Sequence, residues 1–503
     1  MASPAIEVQQ IVVQGNSRTH EHVITQELRG VLACHSYDEV GEALVEGTQR
    51  LRELGIFRSV DVLLDAADGG SASGMVPATV VVKVSELNRL SASTGTYLQN
   101  GEGSMEASVT ALNALGLAER AELNMTRGHE RSNAFRLGLT KPRPFGADCT
   151  VQAGARKLLN SRERVASHCE KVQAADVSLS FGDAARPSGS HTLTYELALR
   201  EACKLTPAAS AAIHMRARTS LKSSVRYSVA WDSRDQPWTP TCGSALRAEA
   251  ELSGLGGLGD ERALKVTAEA GTHVFLWESL GLVAGLSLGA GAIVPLRAPA
   301  TARGGGAAGA GGAYASDRFL LGGVSTVRGF RTNALGPRDT RRELSAAELE
   351  AFAAERKAAA ASSRFNLSFG PEAAVAVDGH AEEVQAKLPR GRFDALGGEL
   401  MAHGLVALSA PLPGPFAQHG LRAQVWANGG GLAEWAQLSQ DGGANARGCA
   451  LTFARGLRLT VGVGLVVPTP IGRLELNVCR VLRRQGGDST SRALQLGLCT
   501  HFL

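Results

Sequence analysis

The sequence predicts a membrane all-β protein: a 16-stranded transmembrane antiparallel β-barrel preceded by one small α+β domain. Three observations predict it. Apolar residues alternate with small or polar ones at period two in segment after segment. Those segments run to about ten residues between Gly, Pro, Asn and Asp turns, the length a tilted strand needs to cross a bilayer. Mean hydropathy is only -0.03, as expected when one face of each strand meets lipid and the other lines a polar lumen.

Composition narrows the classes. The 503 residues carry 52 Lys+Arg against 48 Asp+Glu, too balanced a charge for a protein that wraps nucleic acid. Hydrophobic residues make up 44% and charged residues 20%, which excludes a wholly disordered chain. The eight Cys form no CxxC pair and no zinc spacing, so neither a disulfide framework nor a metal site is expected. Met1 to Pro4 leads straight into Ile6-Glu7-Val8, which is no secretory signal.

The first 87 residues read as a β-α-α-β-β module. Ile11-Val12-Val13 is a strand that turns at Gly15-Asn16, and Thr19 is placed to cap a helix through Val23, Ile24, Leu28 and Leu32. Val40, Leu44, Leu51 and Leu54 mark a second helix, ended by Gly55. Val60, Val62 and Leu64, then Val80, Val82 and Val84, alternate as two strands. No catalytic cluster occurs in it, and His20 and His22 are most simply exposed residues of the first helix.

From Arg89 onward the period-two segments fall near 89–98, 103–111, 118–127, 132–141, 147–157, 172–181, 191–200, 221–232, 245–252, 262–272, 279–292, 398–409, 421–428, 457–466, 472–482 and 493–502. That makes about sixteen, an even number as such barrels require. Ser279 to Leu296 is uncharged and glycine-spaced like a membrane helix. However, Leu280, Leu282, Ala284, Leu286 and Leu288 share one parity and Gly281, Gly285, Ser287 and Gly289 the other, so a strand is predicted. Each of its glycines would also weaken a helix by roughly 1 kcal/mol.

Specific motifs then enter. Gly15-Asn16-Ser17-Arg18-Thr19 and Leu54-Gly55-Ile56-Phe57-Arg58-Ser59-Val60-Asp61-Val62 resemble a POTRA domain. Gly101-Glu102-Gly103-Ser104-Met105, Lys141-Pro142-Arg143-Pro144, Leu221-Lys222-Ser223-Ser224 and Asp232-Ser233-Arg234 lie in the barrel region. So do Asp317-Arg318-Phe319-Leu320-Leu321-Gly322-Gly323, Val327-Arg328-Gly329-Phe330 and Arg473-Leu474-Glu475-Leu476-Asn477. Together they resemble the POTRA-plus-barrel outer-membrane insertases, the bacterial surface antigen family, and within it the core barrel of the mitochondrial sorting and assembly machinery. A single POTRA module favours the mitochondrial member. The resemblance implies a POTRA domain over residues 1–87, a barrel over 88–503, a lumen-directed loop near 317–337 and an inserted segment near 338–396.

It further implies an insertase rather than an enzyme, with no cofactor, metal or catalytic residue. Its partners would be precursor β-barrel proteins, accessory subunits of an assembly complex and the lipid bilayer, with no nucleic acid. Its place would be the mitochondrial outer membrane, with the POTRA domain in the intermembrane space; strands rather than a presequence would target it. The first and last strands would part as a lateral gate, near Ser93 and Gly95 on one side and Gln495, Gly497 and Phe502 on the other. Ser91, Ser93, Thr94, Gly95 and Thr96 make the first strand small and polar, and Gly497 adds no side chain to pack. Gln495, Gly497 and Phe502 also resemble a C-terminal targeting signal, with Thr500 where an apolar residue is expected. In the family the loop arginine folds into the lumen and pairs with inward acids. Arg328 would do so here, flanked by Val327, Gly329 and Phe330. Strand parity points Glu399, Asn428 and Glu475 inward as possible partners, with Glu399 and Glu475 favoured over the neutral Asn428.

The segment 338–396 departs from the family, and Leu344 to Ala360 reads as an exposed helix. A lumen plug, a partner surface and an inert expansion all stay open, the inert reading being the simplest. Gly304 to Gly312 reads as linker. Two enzyme motifs fail on context. Gly285-Leu-Ser287-Leu-Gly289 sits mid-strand, where no nucleophile elbow can form. The glycine pattern from Gly304 has neither a preceding strand nor a ribose-spaced acid. The alternatives to an insertase are a polypeptide-translocating barrel of the chloroplast envelope or two-partner type, and a passive outer-membrane channel.

Overall fold

The computed structural model describes residues 6–66, 76–99, 102–128, 132–183, 186, 189–296, 314, 316–345, 347–348, 351, 392–442, 446–469, 472–491 and 493–499. Two compact units emerge: Met1–Leu158 with Val172–Ala198 and Val225–Ser228, and Leu159–Lys171 with Leu199–Ser224 and Val229–Leu503.

The N-terminal module follows the predicted order: β1 (Ile6–Gln14), α1 (Glu21–Glu27), a 3-10 turn at Arg29–Ala33, α2 (Tyr37–Glu53), β2 (Phe57–Ala66) and β3 (Val76–Glu86). β3 lies central, parallel to β1 and antiparallel to β2. Ile24, Leu28, Val31, Val40 and Leu51 from the helices meet Val80 and Val82 of β3 in a closed core. Glu39 reaches back to the Ser36 backbone N–H at 3.3 Å, closing the start of α2. Thr19 does not cap α1, whose N-cap is His20. Its hydroxyl donates instead to Glu86 at 2.7 Å and accepts from Asn113 Nδ2 at 2.8 Å, contacts stronger than a cap would offer.

The strands that follow are β4 (Leu90–Gln99), β5 (Glu102–Leu112), β6 (Arg120–Gly128), β7 (Asn133–Pro142), β8 (Cys149–Ser161), β9 (Cys169–Asp183), β10 (Gly189–Cys203), β11 (Thr219–Asp232), β12 (Gly243–Ser253), β13 (Ala263–Trp277) and β14 (Leu282–Pro295). A short hairpin, β15 (Arg338–Thr340) and β16 (Phe393–Ala395), stands apart from the main sheet. β17 (Leu400–Pro411), β18 (Arg422–Ala433), β19 (Arg458–Thr469), β20 (Gly472–Arg483) and β21 (Leu494–Cys499) complete the chain. Sixteen of them form one antiparallel sheet in chain order, with β4 and β21 at its two ends. All sixteen predicted strands are present, β9, β10 and β13 being longer than predicted at 15 residues each.

Burial runs opposite to that of a water-soluble protein. On β20, Glu475 and Asn477 are buried at 1% and 0% exposure while Leu476 and Val478 are exposed. On β14, Ser287 and Ile293 are buried, whereas Leu286, Leu288 and Val294 are exposed. Apolar side chains left outside are unfavourable in water and favourable in hydrocarbon. A sheet in lipid must also close on itself, because an open edge would strand backbone groups in hydrocarbon. The fold is thus a 16-stranded transmembrane β-barrel with a POTRA module ahead of it. No helix among the described residues is long and apolar enough to cross a membrane. Ser279 belongs to a tight turn (Glu278–Leu280) and β14 begins three residues later than predicted, after Gly281 at φ +59°.

Candidate functional site

The site is built from the segment after β14, which folds onto the buried face of the second unit. Phe319, Leu321, Val327, Phe330 and Leu335 pack together with Ile293 of β14 and Leu432 of β18. This small apolar core inside a polar lumen holds the loop as a rigid body. At its tip Gly329 takes φ +81°, and a Cβ there would lie 3.3–3.4 Å from Thr460, Cys479 and Val481. Only glycine meets both the backbone angle and the close approach without strain.

Arg328, 5% exposed, is the tip's charged group. Its Nε donates to Glu475 Oε2 and its Nη2 to Oε1, each at 3.0 Å, a bidentate pair across the lumen. The guanidinium lies 5.4 Å from the Trp426 ring centroid, within cation–π range. Its backbone N–H donates to Asn428 Oδ1 at 2.7 Å, and Asn428 Nδ2 donates to the Thr326 and Gly404 carbonyls. Asn428 therefore shapes the loop backbone and leaves the guanidinium to Glu475. Glu475 is shared: Arg473 Nε stands 2.7 Å from Oε1, and Asn477 Nδ2 donates to Oε2 at 2.8 Å.

Glu399 corrects the sequence expectation. It does not meet Arg328; it accepts from Arg318 Nη2 at 3.2 Å and from the Trp435 backbone N–H at 3.1 Å. Arg318 also pairs with Glu434. Glu399 precedes β17 in the chain, and there the nearer arginine is the one that opens the loop.

The tip also grips the last strand. Gly329 N–H donates to Gln495 Oε1 at 2.9 Å, Gln495 Nε2 returns to the Phe330 carbonyl at 3.1 Å, and Ser491 N–H reaches the Gly329 carbonyl at 2.9 Å. A Cβ on Gly497 would stand 2.5 Å from Val324 Cγ2. The missing side chain at 497 thus makes room for the loop. In the first strand, Ser93 Oγ lies 2.7 Å from Ser108 Oγ of β5, and Gly95 stands opposite Glu106. Residues 90–96 are exposed on both faces. Phe502, Gly101 and the 304–312 linker lie outside the described residues, as does most of the helix predicted over 344–360.

Three further groups were not singled out from sequence. Trp426 points inward at 2% exposure, as its parity with Asn428 already implied. Asp394, fully buried, accepts from Arg341 Nε at 2.7 Å, Ser167 Oγ at 2.6 Å and the Ser210 N–H at 2.9 Å. The flanks of the 338–396 segment are therefore built into the protein. In the first unit, Glu86 accepts five hydrogen bonds from Ser17, Arg18 and Thr19. Burial alone would raise its carboxyl, but the Thr19, Ser17 and Arg18 donors hold it well below the usual range. Among the described residues no His, Cys, Asp and Glu group could hold a metal, and seven cysteines are free thiols.

The Omp85 superfamily domain matches residues 113–502. A sorting and assembly machinery component 50 homolog of Bos taurus is 29% identical over 505 residues, covering 99% of this chain and 90% of its own. A SAM50-like protein of Schizosaccharomyces pombe is 26% identical over 466 residues, covering 92% and 83%. The crystal structure of BamA from Haemophilus ducreyi lacking POTRA domains 1-3 superposes at a TM-score of 0.72, with 17% identity over 98% of this chain and 84% of that one, a likeness of fold. With the domain match spanning most of the barrel and the arginine loop seated in it, this chain belongs to the Omp85 superfamily.

Proposed function

We propose that this protein inserts and folds precursor β-barrel proteins into the mitochondrial outer membrane, through a lateral gate between β4 and β21. One observation carries the reading. The folded-in Arg328 loop is hydrogen-bonded to the last strand, while residues 91–96 of the first strand are small and exposed on both faces. A bare strand offers backbone donors and acceptors to a precursor's terminal strand, and such β-augmentation tolerates many side-chain sequences. Ser93 and Gly95 would lie on the receiving edge, and Gln495, Gly497 and Phe502 on the edge that yields. The relatives named for the sorting and assembly machinery support an assembly role here. On this reading the protein works with accessory subunits, its POTRA module on the intermembrane-space side. The reading calls for no catalytic group.

Depletion tests it. With the protein depleted in its own cells, other outer-membrane barrels should fail to assemble while helical outer-membrane proteins still insert. Normal assembly of porin-type barrels after depletion would exclude the insertase, and a large open conductance with unaffected biogenesis would favour a channel.

A further inference from the structure

Beside the Arg318 pairs with Glu399 and Glu434, the loop has a further charged fastening at its entrance. Asp317 Oδ2 accepts from Arg200 Nη1 at 2.8 Å and Oδ1 from Lys222 Nζ at 2.9 Å. Its backbone oxygen accepts from Lys265 Nζ at 3.0 Å, and Arg200 also reaches Ser316 Oγ at 3.1 Å. These cations stand on β10, β11 and β13. Two already have carboxylates from elsewhere in the wall: Arg200 pairs with Glu261 at 3.3 Å and Lys222 with Glu251 at 2.7 Å. Asp317 is therefore not the sole counter-charge of Arg200 or Lys222. A carboxylate carried in by the loop and bonded to two strands, beside a backbone carbonyl bonded to a third, serves the loop itself.

We propose that Asp317 is a positioning residue, a lumen anchor at the loop's entrance, and that it sets where Arg328 and Gly329 meet β20 and β21. The chain between the two anchors is not slack. Phe319 bridges to Gly398, Leu321 bridges to Leu335, and Leu321, Val327 and Phe330 are fully buried. Lys265 also stands 5.1 Å over the Phe319 ring. The loop so held is a tie between β10, β11 and β13 at one end and β18, β20 and β21 at the other. Releasing Asp317 frees the tip from the last strand. Only the consequence for insertion rests on the insertase reading; the anchoring does not.

Hydrogen exchange on the purified full chain in detergent tests it. The Arg328, Gly329 and Arg331 amides, bonded to Asn428, Gln495 and Ser489, report the tip. Asp317→Asn should raise their exchange on the order of tenfold or more, the loss of a charge-assisted hydrogen bond, with β5 and β6 unchanged. Asp317→Glu should restore protection. Should Asp317→Asn fail to fold, the wild-type chain in low urea serves: the Phe319 and Gly329 amides should open together. Unchanged tip exchange in Asp317→Asn, or separate opening of the two amides in urea, overturns the proposal. A loosened tip with normal precursor insertion would uphold the anchor and count against the tip's part in insertion.

Discussion

The Arg328–Glu475 pair makes an asymmetric prediction about stability. Replacing Arg328 with Met removes two charge-assisted hydrogen bonds, but Glu475 keeps Arg473 at 2.7 Å and Asn477 at 2.8 Å. Because each Glu475 oxygen keeps a donor, Arg473 at Oε1 and Asn477 at Oε2, the cost should be that of about one charged contact, roughly 1.5–3 kcal/mol. Replacing Glu475 with Gln leaves Arg328 and Arg473 facing an amide inside the lumen, with Arg328 buried at 5% exposure. Removing the shared partner of a buried ionic group costs about 3–5 kcal/mol. Glu475→Gln should therefore be the more damaging change by roughly 1.5–2 kcal/mol, more than tenfold in the folding equilibrium. The double variant should show coupling well above the roughly 0.3–0.5 kcal/mol within which independent sites add. Reversible urea unfolding in detergent or thin bilayers, followed by tryptophan fluorescence and heat-modifiable gel mobility, reads all four corners of the cycle. An Arg328→Met cost equal to or larger than that of Glu475→Gln, or additive effects, would refute the shared-carboxylate geometry.

Other predictions follow from the same contacts. Gly497→Ala should cost about 1–3 kcal/mol by overpacking against Val324, and Val324→Ala should recover most of it; urea midpoints of the three variants check this. Asp394→Ala should cost about 3–5 kcal/mol, since Arg341 loses its buried carboxylate, and thermal unfolding of the full chain measures it. Glu86 has a depressed folded-state pKa, so its contribution is present above the ordinary value of 4.5 and is lost as pH falls toward the folded value. Exchange of the Arg18 and Thr19 amides should therefore accelerate below that pH in the wild type beyond the intrinsic trend, whereas Glu86→Gln should show no such step.

Much of the fold was legible because lipid enforces parity. Leu286 and Leu288 outside with Ser287 between them, or Glu475 and Asn477 inside with Leu476 between them, follow from a period-two pattern that one slip would invert. The same parity placed Asn428 and Glu475 inward. It could not place Glu399, because facing the lumen does not fix which arginine is nearest; that depends on where the loop enters. Nor could it say that Gly497 makes room for Val324, a contact between residues 173 positions apart in the sequence. The partners of Asp317, and Asp394 altogether, stayed hidden for a related reason: they lie on distant loops and strands, which no local spacing encodes. Thr19 read as a helix cap because a local rule applied, and a distant carboxylate, Glu86, won the hydroxyl instead.

The most direct measurement uses the purified protein in liposomes with an unfolded barrel precursor, followed by heat-modifiable mobility and protease protection of the precursor. One variant carries a cysteine in β4 and another in β21 that join the two strands when oxidised. The precursor should fold into the bilayer with the reduced protein, stop when the strands are joined, and resume on reduction. Equal insertion with β4 and β21 covalently joined would contradict a lateral gate between the first and last strands.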